Sequence, residues 1–133
     1  MQRKLVVNPS DAVPVWKQIE EGVRRLVAAG AMARGAPVPS VRELAKDLRV
    51  NPATVAKAYR RLADAGVLKV RRGEGTFVED NPPVLRKSER RSALREGADR
   101  YATHAATLGA DRDEAVKEFD TAWKDLGGDG GRP

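Results

Sequence analysis

Residues 40–64 read SVRELAKDLRVNPATVAKAYRRLAD and predict two helices separated by a tight turn. Ser40 and Glu43 match a capping box, in which each side chain accepts a hydrogen bond from the backbone N–H of the other residue. Asn51 followed by Pro52 indicates a second start, because Asn caps free N–H groups and Pro lacks only a donor that the first helical turn could not use. We therefore expect a helix, a short turn and a helix.

Apolar residues at three- and four-residue steps support both helices and add a third one before them. Such spacing places the residues on one helix face, which packs in a core. The first helix of the pair has the stripe Val41, Leu44, Ala45 and Leu48, and the second has Val55, Ala58, Tyr59 and Leu62. The preceding helix, opened by Pro14 and stopped at Gly30, has Trp16, Ile19, Val23, Leu26 and Val27. We interpret Trp16 as a core aromatic rather than a base-stacking residue.

Two short strands are predicted after the helix pair. Val67–Val70 and Thr76–Val78 flank the turn Arg71–Gly75, which contains two glycines. A basic hairpin that directly follows a helix-turn-helix is a wing. The predicted fold class is therefore mainly α with a small β-hairpin, as a winged helix-turn-helix followed by a two-helix C-terminal extension.

The chain after the hairpin is predicted to be a separate helical unit. Because Asn81-Pro82-Pro83 interrupts regular structure, the predicted parts are a domain over 1–80, a linker over 81–84, a helical hairpin over 85–126 and a disordered tail over 127–133. The predicted helical hairpin has two apolar stripes. They are Leu94, Ala98, Tyr101, Ala105 and Leu108 on one helix, and Val116, Phe119, Trp123 and Leu126 on the other. Two such helices bury little surface alone, so we expect these residues to form a homodimer interface.

Charge is concentrated in the front part of the chain. The sequence has 25 Lys and Arg against 19 Asp and Glu, a formal net charge of +6 and a pI near 10.0. Residues 1–79 carry +7 and the remainder −1, which favours a polyanionic partner such as nucleic acid or an anionic membrane surface. With no cysteine, disulfides, thiolate zinc sites and cysteine nucleophiles are excluded. The apolar runs are too short for a signal peptide or a membrane span, so we expect a cytoplasmic protein without membrane contact.

Fold and charge together indicate double-stranded DNA as the partner. In a winged helix-turn-helix the second helix of the pair enters the major groove, where side chains near its N-terminus read base edges and flanking cations contact phosphates. The predicted DNA-binding residues come from both helices of the pair, the turn between them and the wing. They are Arg42, Arg49, Asn51, Ala53, Thr54, Lys57, Arg60, Arg71, Arg72, Gly73 and Gly75.

Three segments resemble the GntR family of bacterial regulators. They read VPVWKQIEEGVRRLVAAG, PSVRELAKDLRVNPATVAKAYRRLADAGVL and RRGEGTFV, in that order, over about residues 10–79. The short helical remainder resembles the YtrA-like subfamily, which implies dimerisation with little room for an effector. The resemblance implies a transcription regulator, a repressor, that binds an inverted-repeat operator as a homodimer.

The resemblance also implies roles for particular residues. Arg42 matches the arginine of the family's P-S-x-R-E-L segment, which contacts a phosphate, and Thr54 matches the second threonine of its T-T-V stretch. Ala53 replaces the first threonine. Many family members carry arginines where this chain has Pro52 and Ala56, so their guanine contacts do not transfer.

Other functions were weighed against DNA binding. No nucleophile with its base, paired carboxylates or phosphate-binding loop stands at a catalytic spacing, so no enzyme activity and no cofactor are expected. An architectural or adaptor winged helix that docks acidic proteins is the alternative, and steep salt dependence with a palindromic preference separates the two. A small effector held between subunits is not favoured. His104, the one histidine, is interpreted as a surface or interface residue rather than a metal ligand.

Overall fold

The computed structural model describes residues 5–80 and 87–126, which belong to two compact units. The N-terminal unit contains α1 (Val15–Ala28), α2 (Val41–Leu48), α3 (Pro52–Asp64), β1 (Leu68–Arg71) and β2 (Gly75–Val78). The C-terminal unit contains α4 (Lys87–Thr107) and α5 (Arg112–Leu126). The predicted fold class is confirmed. The predicted linker and tail lie outside the described residues.

Both helices of the helix-turn-helix begin at the predicted capping residues. Ser40 Oγ accepts a hydrogen bond from the Glu43 backbone N–H at 3.1 Å, and Glu43 Oε1 accepts one from the Ser40 backbone N–H at 2.9 Å. Asn51 Oδ1 accepts a hydrogen bond at 2.8 Å from the N–H two residues later, at the start of α3. Between the helices, Arg49 has φ 58° and ψ 49°, a left-handed conformation that L-residues other than glycine rarely adopt.

The core of the N-terminal unit is built by all three helices and both strands. Its largest fully buried side chains are Ile19, Val23, Val55, Leu62, Leu68 and Val78. Tyr59 joins this core and its hydroxyl donates a 2.8 Å hydrogen bond to the carbonyl of Pro39. This bond fastens the segment before α2 to α3. Trp16 is half-buried and packs against the same core, in agreement with its interpretation as a core aromatic.

The hairpin is longer at its tip than the sequence predicted. The antiparallel register pairs Leu68 with Val78 and Arg71 with Gly75, so the assignment of Arg71 and Gly75 to the turn was wrong. The Glu74 backbone N–H donates to the Arg71 carbonyl at 2.8 Å. This bond closes a tight turn directly after Arg71, which lets the ladder continue to that residue.

A segment before α2 pairs with β2, which the sequence did not predict. The Val38 N–H donates to the Thr76 carbonyl at 2.9 Å, and the Val78 N–H donates to the Ala36 carbonyl at 2.8 Å. Residues 30–39 are rich in glycine and proline, a composition typical of a connecting loop. Pro37 is tolerated here because its neighbours supply the backbone groups for both bonds.

In the C-terminal unit, α4 and α5 form the predicted helical hairpin. Gly109 has φ 82° after the end of α4, and Asp111 Oδ1 accepts a 2.9 Å hydrogen bond from the Glu114 N–H at the start of α5. The Tyr101 hydroxyl donates to the Ala115 carbonyl at 2.6 Å and ties the helices together. Among the residues described in this unit, only Ala105 is buried.

Over residues 5–80 and 87–126, no helix has the length and apolar character needed to cross a bilayer. Over the same ranges, no three His, Cys, Asp or Glu residues gather as a metal site. His104 is exposed on α4.

Candidate nucleic-acid interface

One side of α3 is buried and the opposite side is open to solvent. The buried side packs into the core through Val55, Ala58, Tyr59 and Leu62. At about 100° per residue, the opposite side is centred on Ala53, Lys57 and Arg60, which are exposed. Thr54 and Ala56 lie half-buried on its flanks. An α-helix with side chains is about 10–12 Å across and fits a major groove of about 12 Å, so this side has the shape that direct base reading requires.

The turn and the start of α2 add further predicted contact residues. Arg42 is exposed in the first turn of α2, and Arg49 and Asn51 are exposed directly before α3. The Asn51 carboxamide oxygen is already engaged in capping α3. Beside Arg42, the Glu43 carboxyl has a lowered pKa because it accepts hydrogen bonds from the Ser40 backbone and then from its side chain, so it stays ionised as the helix cap.

Tyr59 fixes the spacing between the segment before α2 and α3. Burial raises the pKa of its hydroxyl to about 12, and the nearby charge of Glu43 acts in the same direction. The hydroxyl therefore stays protonated at neutral pH and keeps donating to the Pro39 carbonyl. Buried polar groups that are fully paired hold one geometry, so α2 is presented in a fixed position relative to α3.

The wing separates two arginines that the sequence treated alike. The Arg71 guanidinium lies 4.7 Å from the centroid of the Phe77 ring, so it is held against the sheet. Arg72 and Gly73 are exposed at the tip, and Gly73 has φ 81°. Gly75 is exposed at the start of β2 with φ 123°. Arg72 is the residue with freedom to reach out from the wing.

Lys69, at the base of the wing, is occupied by carboxylates. Its Nζ lies 3.2 Å from Asp80 Oδ1 and 3.8 Å from Glu79 Oε2. The hydrogen bond from Lys69 is the main reason that the pKa of Asp80 is lowered. These two carboxylates offset the positive charge of Lys69 at the base of the wing.

A cluster of charged residues around Trp16 was not predicted. Lys57 Nζ and Arg61 Cζ lie 4.3 Å and 4.8 Å from the centroid of one indole ring of Trp16. Arg61 Nε also donates to Glu20 Oε1 at 3.0 Å. The apolar stripe revealed that Trp16 faces inward, but stripes do not show which cations cover the outer part of a ring.

The residues predicted for a dimer interface lie on α4 and α5, and most are exposed. Leu94, Leu108 and Trp123 expose 65%, 72% and 62% of their surface, and Val116 and Phe119 are also exposed. Ring centroids of Tyr101 and Phe119 are 6.5 Å apart, and those of Phe119 and Trp123 are 5.8 Å apart. The hairpin thus has an aromatic row, Tyr101–Phe119–Trp123, that faces solvent. Within this row and the stripes, Ala98 is exposed, Leu126 is half-buried and Ala105 is buried between the helices.

Comparison with known proteins gives the family. The family model described as bacterial regulatory proteins of the gntR family matches residues 16–78, from α1 to the end of β2. The HTH-type transcriptional regulator Rv1152 of Mycobacterium tuberculosis is 34% identical over 113 residues, which are 85% of this chain and 88% of that protein. The chain belongs to the GntR family. The resemblance inferred from its three motif segments is confirmed.

Other relatives and solved structures cover from about half to nearly all of the chain. The HTH-type transcriptional repressor YtrA of Bacillus subtilis (strain 168) is 39% identical over 75 residues, which are 56% of this chain and 58% of that repressor. A structure from Listeria monocytogenes EGD-e, described as a transcriptional antiterminator, has a TM-score of 0.82 with 26% identity and covers 96% of both chains. The AraR DNA-binding domain in complex with operator ORX1 has a TM-score of 0.50 and 28% identity, and covers 56% of this chain and 92% of that one.

Proposed function

We propose that this GntR protein is a sequence-specific transcription regulator, a repressor, that binds an inverted-repeat operator in duplex DNA as a homodimer. The observation that carries the proposal is the open side of α3, which is followed in the chain by a wing with an exposed arginine. The +7 charge of residues 1–79 supports the same partner.

The proposed DNA contacts fall into two classes, those to phosphates and those to base edges. Cations at Arg42 and Arg72 contact phosphates, which gives affinity without sequence information. Thr54, on the first turn of α3, reaches a base edge or the adjacent backbone. Arg72→Ala should therefore weaken binding to all sequences by a similar factor, whereas Thr54→Ala should change the preference at particular base pairs.

Relatives support both the repressor role and the operator binding in this proposal. The B. subtilis relative is named a repressor, and the AraR domain was solved with operator DNA. The AraR domain covers 56% of this chain with 28% identity. We extend operator binding and repression to this chain on that basis.

The test begins with selection of bound sequences from a random DNA pool. Fluorescence anisotropy then compares the selected duplex with a scrambled duplex of the same composition. We expect selective binding at about 150 mM salt, and a fall in affinity of about a hundredfold or more between about 50 and 200 mM salt. Equal affinity for the two duplexes at about 150 mM salt would contradict the proposal and favour an adaptor that docks acidic proteins.

The homodimer is proposed from the exposed apolar surface of α4 and α5. Leu94, Leu108 and Trp123 keep 62–72% of their surface exposed within the hairpin, so a second copy of the chain offers the most direct way to bury them. A two-fold dimer presents the same patch twice and matches the symmetry of an inverted repeat. Sedimentation should give a dimer for the full chain, and Trp123→Ala should shift it towards monomer, because a buried aromatic anchor contributes about 3–5 kcal/mol.

A further inference from the structure

Trp16, in the first turn of α1, holds two cations of α3 on its indole ring. Lys57 Nζ lies 4.3 Å from the ring centroid and Arg61 Cζ lies 4.8 Å from it. Cations at such distances are attracted by the negative face of an aromatic ring, and indole is the strongest of the natural side chains. Because Lys57 and Arg61 are one helical turn apart, the same ring reaches both.

Glu20, one turn further along α1, distinguishes the two cations. Its side chain is only 11% exposed, and its carboxylate lies 3.0 Å from Arg61 Nε and 3.9 Å from Arg24 Nη2. A carboxylate with so little exposure to solvent needs paired cations. Arg61 is one of them, so its charge is balanced within the chain by Glu20. Lys57 forms no ion pair within the described part of the chain. There its ammonium group contacts the uncharged indole ring of Trp16. The positive charge of Lys57 is therefore held in place without being neutralised.

Holding the Lys57 side chain in this position costs free energy, which another interaction has to offset. Like charges one turn apart on a helix repel each other, and ordering a lysine side chain costs conformational entropy. Trp16 compensates both costs, since its ring attracts both charges while its remaining surface packs against the core. The side chain of Lys57 consequently leans from the open side of α3 towards α1, and the open side is left to Ala53 and Arg60.

We propose that Trp16 is a positioning residue for DNA binding, which holds the Lys57 ammonium on the α1 flank of α3 for contact with a backbone phosphate of duplex DNA. The inference rests on the proposed DNA-binding function and deepens it. It assigns Lys57 to affinity rather than to base reading. A side chain ordered before binding loses less entropy when the complex forms, so removal of the ring should weaken binding through Lys57.

A double-mutant cycle tests this coupling. The variants are Trp16→Leu, Lys57→Met and the double variant, each measured by fluorescence anisotropy on the selected and scrambled duplexes over about 50–200 mM salt. Lys57→Met should weaken both duplexes by the same factor and reduce the salt slope by about one phosphate contact. Trp16→Leu should weaken binding about two- to fivefold. The double variant should bind like Lys57→Met alone, because the ring acts through Lys57.

Controls separate this role from a purely structural one. Val27→Ala alters another core residue of α1 that holds no cation, and it should lower the melting temperature while keeping affinity and salt slope. Should Trp16→Leu fail to fold, Trp16→Phe replaces it in the cycle, and a smaller coupling of the same sign is expected because a phenyl ring attracts cations more weakly. Independent effects of the two substitutions, or a change of base preference in Lys57→Met, would overturn the inference. A wild-type protein that does not distinguish the two duplexes contradicts the proposed function instead.

Discussion

The two units of this chain treat their apolar residues in opposite ways. In the N-terminal unit, Leu62 of α3 is fully buried, whereas in the C-terminal unit Leu108, just after α4, exposes 72% of its surface. Three helices and a hairpin surround Leu62, so the stripe on each element finds a partner within the unit. Two helices cannot surround each other in this way. The same kind of pattern therefore specifies a core in one unit and an open surface in the other.

The difference also appears in how aromatic residues are used. Tyr59 is buried in the N-terminal unit and half-buried Trp16 packs against the same core. In the C-terminal unit the ring centroids of Phe119 and Trp123 are 5.8 Å apart, and these two side chains remain 49% and 62% exposed. Exposed aromatic side chains in contact with one another are typical of protein interfaces, which supports the proposed homodimer.

The comparison is tested most strongly by removing the C-terminal unit. A fragment of residues 1–81 should keep its fold, because its core is complete without α4 and α5. Its operator affinity should fall by about 10²–10⁴, since two linked heads gain that much through effective concentration. Thermal melting, sedimentation and anisotropy on the selected duplex measure the three properties.

A matched fusion controls for the loss of mass in this fragment. Joining residues 1–81 to an unrelated dimeric coiled coil should restore most of the affinity, because only the linkage between heads is replaced. A fragment that binds the operator as tightly as the whole chain would show that α4 and α5 serve another purpose.

Equivalent substitutions in the two units should have different consequences. Leu62→Ala should lower the free energy of unfolding of the N-terminal unit by about 2–5 kcal/mol, because it leaves a cavity in a closed core. Leu108→Ala should leave the urea midpoint of that unit unchanged and weaken only self-association. Urea unfolding monitored by circular dichroism and sedimentation of both variants provide the readings. If Leu108→Ala lowered the stability of the N-terminal unit as much as Leu62→Ala does, the proposed difference between the two units would be contradicted.

The sequence predicted best where one local interaction decides the structure. Ser40, Glu43 and Asn51 cap their helices through bonds spanning two or three residues, so short motifs suffice. The pairing of Ala36 and Val38 with β2 depends on residues about forty positions away and carries no periodic signal. Prolines on both sides of Val38 indicate a loop, although they leave its N–H free to donate.

The candidate site was predictable in its outline but not in its electrostatics. Helical spacing identified the open side of α3, because burial of Val55 and Leu62 fixes which way the other side faces. Spacing does not reveal the contacts that side chains make across elements. Lys57 on Trp16 and Arg71 on Phe77 are such contacts, and both separate cations that look equivalent in the sequence.

Arg49 provides a smaller test within the N-terminal unit. Its left-handed conformation is unfavourable for a residue with a Cβ, so Arg49→Gly should raise the free energy of unfolding by about 1 kcal/mol. If the exposed guanidinium contacts a phosphate, the same substitution should weaken operator binding. Stability and affinity would then change in opposite directions. Arg49→Lys keeps the charge and should bind nearly as tightly as the wild type. Unchanged affinity in Arg49→Gly would remove Arg49 from the interface.

The last prediction compares two tyrosines that make the same kind of bond in the two units. Tyr59 donates to the Pro39 carbonyl at 2.8 Å in the buried core, and Tyr101 donates to the Ala115 carbonyl at 2.6 Å on an exposed surface. At pH 8, Tyr59→Phe should lower the free energy of unfolding by about 1 kcal/mol, the net value of one buried hydrogen bond. Burial raises the pKa of Tyr59 from 10.0 to about 12. Between these values the folded protein keeps a proton that the unfolded chain has lost, so the stability that Tyr59 adds is present below pH 10 and is lost as the pH rises towards 12. The gap between wild type and Tyr59→Phe, measured by urea unfolding at half-unit steps from pH 8 to 11, should therefore close. Tyr101→Phe should leave the urea midpoint of the N-terminal unit unchanged at pH 8, because the bond that it removes lies in the other unit. A gap that stays constant over this range would mean that the Tyr59 hydroxyl is not held protonated by the core.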